Sequence, residues 1–102
     1  MISTADAKAL INDLFEEEAL VIGGLVAVYE MDDDLVWRLM KNLDVIRSKI
    51  LRRLEDQAPA DEAPRRLRWV ATVLAADELG AISTTLRHAF LALVMSDGFL
   101  LR

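Results

Sequence analysis

The sequence predicts an all-α fold, an antiparallel bundle of three or four helices in a single domain over residues 1–102, on three observations. Apolar residues recur at the 3.6-residue period of a helix in most of the chain. Residues 19–29 are rich in β-branched residues and glycine and are compatible with a buried strand, but no second strand candidate exists to pair with them. The connections are short, as is typical of antiparallel neighbours.

The first helix is predicted over residues 4–29. Ser3 or Thr4 is suited to cap its amino terminus, and Asp6 lies in its first turn. Its inward stripe begins with Ala7, Leu10, Ile11, Leu14 and Phe15. Small residues then recur at four-residue spacing at Ala19, Gly23 and Ala27. Because such a strip lets another backbone approach closely, we expect it to pack against a helix.

The second helix, predicted over residues 33–56, has the clearest periodicity in the chain. Its apolar residues fall in one arc of roughly 160°, wide enough to contact two or more neighbouring helices. Aspartates at 32–34 precede it and basic residues lie near its end, as the helix dipole favours. The arc contains Leu35, Val36, Leu39, Met40, Leu43, Ile46, Ile50, Leu51 and Leu54, and its packing seam is Val36, Leu39, Leu43, Ile46 and Ile50.

Arg47 lies inside this arc, and two interpretations stay open. Its aliphatic stem can cover apolar surface while the guanidinium reaches water. Alternatively, Arg47 forms a buried ion pair with a carboxylate of another helix, for which Glu18 is a candidate.

Residues 57–63 are predicted to be a linker. Pro59 ends the second helix, and Pro64 is suited to the first turn of the third. Asp61 is the candidate cap of that third helix.

The third helix is predicted over residues 64–79, with Trp69 on a second apolar face. Gly80 weakens the helix there, so a fourth helix is predicted over residues 82–95. One kinked helix through both segments is the alternative that periodicity leaves open.

Composition indicates a protein that needs a partner. The chain is 54% apolar, which is more than a domain of 102 residues can easily hide, so we expect a homodimer or another protein partner. The net charge of −5 is unevenly placed. Residues 1–44 carry three basic and ten acidic side chains, whereas residues 45–70 carry seven basic and four acidic ones.

Several chemistries have no candidate residues. The chain lacks cysteine, which removes disulfides, thiolate metal sites and thiol nucleophiles. His88 has no Glu three residues before it and no evident catalytic partner. We therefore predict no catalytic, metal or cofactor-binding residue. The longest apolar run has 11 residues, whereas a membrane span needs about 20, and no secretory signal is evident. We expect a cytoplasmic protein without a membrane partner.

The function predicted is a non-enzymatic protein–protein interaction module: an adaptor, a regulatory subunit or a small acidic chaperone that binds through apolar helix faces. The candidate partner-binding residues are Trp37, Arg47, Arg52, Arg53, Arg65, Arg66, Trp69, Phe99 and Leu100. A nucleic-acid-associated regulator using the basic cluster from Arg47 to Arg68 is the alternative, although the acidic net charge and the lack of a reader motif disfavour nucleic acid. A pocket between helices that binds a small molecule is the third hypothesis.

Overall fold

The computed structural model describes residues 1–15, 33–59 and 61–97, with the side chains of all except Leu35, Val36, Leu93, Ser96 and Asp97. This part of the chain is all-helical and contains no strand, so the predicted all-α class is confirmed. The helices are α1 (Thr4–Phe15), α2 (Asp33–Gln57), α3 (Pro64–Gly80) and α4 (Thr84–Asp97). The small-residue strip at Ala19, Gly23 and Ala27, the strand alternative for 19–29, and Phe99 and Leu100 lie outside the described residues.

Serine caps start two of the helices. The Oγ atom of Ser3 accepts a hydrogen bond from the backbone N–H of Asp6 at 3.1 Å, which caps α1. The Oγ atom of Ser83 accepts one from the N–H of Leu86 at 3.4 Å, which caps α4. Residues 81–83 therefore separate two helices, and α4 begins two residues later than the sequence predicts.

The start of α3 differs from the expectation. Ala63 is the N-cap, its backbone is extended, and no side chain caps the helix, so the assignment of Asp61 as the cap is wrong. Pro64 in the first turn presets the helical φ angle without a side-chain bond. The Nε atom of Arg66 instead lies 3.4 Å from Oε2 of Glu62.

Two contacts fix the relative direction of α1 and α2. The N–H of Ile2 donates to the carbonyl oxygen of Ala58 at 2.9 Å, just beyond the end of α2. At the other end of α1, the guanidinium of Arg47 lies 5.6 Å from the ring centroid of Phe15. Because rising residue numbers in α1 meet falling numbers in α2, the two helices run in opposite directions.

Helix α3 contacts all three of the other helices. Its buried face is built largely of small side chains, which allow neighbouring helices to approach it. The buried residues of α3 are Ala71, Thr72, Leu74, Ala75, Ala76 and Leu79. The hydroxyl of Thr72 donates to the carbonyl oxygen of Arg68 at 2.8 Å, so this buried polar group is satisfied within its own helix.

One continuous core joins the four helices. The rings of Phe15 on α1 and Phe90 on α4 stack with centroids 6.1 Å apart. Within the predicted arc of α2, Leu39, Leu43, Ile46, Ile50 and Leu54 are buried. Met40 lies in the same arc but is more than half exposed, so the buried face is narrower than the apolar pattern. None of the described helices is long and apolar enough to cross a lipid bilayer.

Candidate interaction surfaces

The outward face of α2 combines exposed apolar and charged side chains. Trp37, Met40 and Val45 are each more than half exposed. The Nζ atom of Lys41 lies 4.8 Å from the ring centroid of Trp37, a cation–π contact on the protein surface. We define the α2 outer face as Trp37, Met40, Lys41, Asp44, Val45 and Ser48, all of them exposed. Three of its six residues are large and apolar, and the other three are charged or polar.

Opposite charges flank the two ends of the α2 outer face. Asp33 and Asp34 lie at the amino end of the helix, where Asp34 pairs with Arg38 at 3.4 Å. Lys49 and Arg52 lie towards the carboxyl end, and both are exposed. The basic residues end before the helix does, because its last turn contains no basic residue and carries the exposed Asp56.

A second exposed apolar pair lies on α3. Trp69 is 49% exposed, and Val73, one turn later on the same line of the helix, is 39% exposed. Arg65 lies one turn before Trp69 on that line and is also exposed. The second apolar face predicted for α3 at Trp69 is therefore exposed at Trp69 and Val73, whereas Ala76, one turn after Val73 on the same side, is buried.

The predicted basic cluster is divided between interior and surface roles. Arg53 bridges α2 to α3, because its Nη1 atom lies 3.3 Å from Oε1 of Glu78 and its Nη2 atom lies 3.4 Å from Oδ2 of Asp77. Arg47 is half-buried against the ring of Phe15. Both guanidinium groups thus contact the protein's own helices.

The remaining arginines of the cluster differ in exposure. Arg52 on α2 and Arg65 and Arg66 on α3 are exposed, Arg68 is half-buried, and Arg66 is also paired with Glu62. The acidic partners of Arg53 and Arg66 lower the positive potential that a phosphate backbone would meet at these positions.

A cleft of about 420 Å³ lies between α1 and the start of α3. Apolar side chains form most of it, and two carboxylates and one guanidinium add charge. It is lined by Ile2, Asp6, Ala9, Leu10, Asp13, Pro64, Leu67 and Arg68. Sequence reasoning missed this site, although Asp6, Leu10 and Asp13 share one face of α1 by their spacing of four and three residues.

No metal-binding cluster of three or more histidine, aspartate or glutamate side chains occurs among the described residues. His88 is exposed on α4. Comparison with protein-family models, curated proteins and solved structures finds no match to this chain.

Proposed function

We propose that this chain is a non-enzymatic protein–protein interaction module that assembles as a homodimer through exposed apolar helix faces. The observation that supports the proposal is the exposure of Trp37, Met40 and Val45 on a helix whose opposite face packs in the core. Large apolar side chains grouped on a surface favour association, since contact with another polypeptide removes them from water. Tryptophan is among the residues that contribute most to such contacts.

The module would act as an adaptor, a regulatory subunit or a small chaperone for a helical segment of another protein. Each role uses the same physics, in which one helix packs its apolar side against another. We place the protein in the cytoplasm, because a chain without cysteine fits a reducing compartment. The nucleic-acid alternative receives less support, since Arg53 and Arg66 are already paired with carboxylates.

Sedimentation equilibrium tests the proposal. The weight-average mass of the wild-type chain should rise with concentration from 11.4 kDa towards twice that value. The double variant Trp37→Ser, Trp69→Ser should associate at least tenfold more weakly, because it removes both exposed indole rings.

Met95→Ser is the matched control, since Met95 is an exposed apolar residue on a different helix, α4. This variant should associate like the wild type. A wild-type chain that remains at 11.4 kDa at every concentration would contradict the proposal, as would a double variant that associates normally.

A further inference from the structure

We propose that the occupant of the α2 outer face is the same face of a second copy of the chain, packed antiparallel about a two-fold axis. This inference rests on the proposed function and specifies its geometry. In such an isologous contact each residue pair occurs twice, once on either side of the axis.

The order of charges along α2 favours the antiparallel direction. Asp33 and Asp34 lie at its amino end, and Lys49 and Arg52 lie towards its carboxyl end, all exposed. A parallel pair would place acid beside acid and base beside base. An antiparallel pair places the acids at 33 and 34 of one helix beside the bases at 49 and 52 of the other, and the two helix dipoles also oppose each other favourably.

One register makes the side chains of the α2 outer face complementary. A two-fold axis between positions 42 and 43 places Lys41 opposite Asp44 of the second copy. The same axis places Met40 opposite Val45 of the second copy and Trp37 over the small side chain of Ser48. At the ends, Asp33 faces Arg52 of the second copy. In this register the charged residues of the α2 outer face meet opposite charges and its aliphatic residues meet each other. The ring of Trp37 has space above the small side chain of Ser48.

Neighbouring registers lose this match. Sliding the second helix by one turn, so that each residue faces a partner numbered four higher, would place Asp33 opposite Asp56 and Asp34 opposite Glu55. Moving it by one turn the other way places Trp37 opposite Asp44 and removes the charged partner of Lys41. The pairing is thus specified by charge as well as by apolar contact.

Self-complementarity is the reason to choose a second copy over an unrelated protein. An unrelated partner would need charges complementary to those of α2. Binding such a partner would not require the charges of α2 to complement one another. On α2 the exposed acids at 33 and 44 lie at positions that mirror the exposed bases at 52 and 41. This arrangement follows directly from a two-fold contact.

Charge reversal tests both the face and the register. Lys41→Asp places acid opposite acid twice in the dimer, and Asp44→Lys places base opposite base twice. Each variant alone should dimerise roughly tenfold or more weakly than the wild type in sedimentation equilibrium. Mixed in equal amounts, the two variants should recover wild-type association, since every pair of positions 41 and 44 is again opposite in charge. Native mass spectrometry should then find a heterodimer with one copy of each variant.

Matched controls carry the same charge changes away from α2. Lys8 on α1 and Asp61 in the linker are exposed, so Lys8→Asp and Asp61→Lys should each dimerise like the wild type. Far-UV circular dichroism confirms that each variant keeps its helical content. Recovery on mixing provides an independent check, because only folded chains can reassociate.

The outcomes separate this inference from the proposed function. If the wild type dimerises and the single reversals leave that unchanged, the α2 outer face is not the interface and the inference is wrong. If the single reversals weaken the dimer and mixing does not restore it, the antiparallel register is wrong. Neither result affects the proposed function, which fails if the wild type does not associate or if the double tryptophan variant associates normally.

Discussion

At the scale of single residues, the apolar period decides which side chains face inward, but it does not decide where burial ends. Ile50 and Leu54 lie in the middle of the apolar arc and are fully buried. Met40 lies at one edge of that arc and is exposed. Whether an edge position is covered depends on the neighbouring helix, which a helical wheel does not contain.

Arg47 shows the same limit at a charged position. The sequence places it inside the apolar arc and leaves open whether its head group reaches water or an ion pair. The structure shows a further contact, in which the guanidinium carbon lies 5.6 Å from the ring centroid of Phe15. A contact of this type joins residues far apart in sequence, so no local pattern predicts it.

The uncapped start of α3 gives a prediction at this scale. Ala63→Ser should raise the free energy of unfolding by about 0.5–1 kcal/mol, because a serine Oγ at the N-cap can accept a hydrogen bond from a free backbone N–H of the first turn. Urea denaturation measures the change. Ala9→Ser, at an exposed position within α1, should instead be neutral or slightly destabilising. Equal effects at the two positions would contradict the role of the cap.

At the scale of elements, caps and prolines in the sequence locate helix starts well. The sequence does not show which helix makes the most contacts with the others. The predicted starts at residues 4 and 64 coincide with those observed, because serine and proline mark them. Among the described helices, α3 makes the most extensive contacts with the others, although α2 has the clearest periodicity. A helix enclosed on several sides carries apolar or small residues on several sides, so its periodicity is weak.

The bridge from Arg53 to Asp77 and Glu78 gives a prediction at this scale. Arg53→Ala should lower the free energy of unfolding by about 1 kcal/mol, since it removes two partly exposed ion pairs between α2 and α3. A double-mutant cycle with Glu78→Gln should give a coupling of about 0.5–1 kcal/mol that shrinks at high salt.

Arg65→Ala is the control for the bridge. Arg65 is exposed near the start of α3, and its removal should change the free energy of unfolding by less than about 0.5 kcal/mol. A coupling of zero between Arg53 and Glu78 would indicate that solvent screening cancels the pair.

At the scale of the whole molecule, the composition predicts more apolar surface than the chain can bury. The structure shows which large apolar side chains stay exposed. The sequence predicts Trp37 and Trp69 as anchors, and both are exposed. It does not predict that Met40 and Val45 lie beside Trp37 on the surface, because Met40 falls within the apolar arc of the helix and Val45 falls outside it. Their grouping becomes evident only once the neighbours of α2 are placed.

A dimer would link stability to concentration. Above the dimer dissociation constant, each tenfold rise in protein concentration should add about 1.4 kcal/mol to the free energy of unfolding of the dimer. The urea midpoint of the wild type should therefore increase with concentration, whereas that of Lys41→Asp should begin to increase only at roughly tenfold or higher concentrations. Midpoints that move equally in both proteins would contradict dimerisation through the α2 outer face.

The hydrogen bond between Ile2 and Ala58 has a practical consequence for work with this protein. It fixes the first residues beside the corner where α2 ends, with Ile2 buried and Met1 exposed. A reporter or affinity tag joined ahead of Met1 would project from that corner, about 30 Å along the helix from Trp37 at 1.5 Å per residue. Tagging at this terminus should leave the tryptophan end of α2 accessible, provided that the linker does not pull Ile2 out of the core.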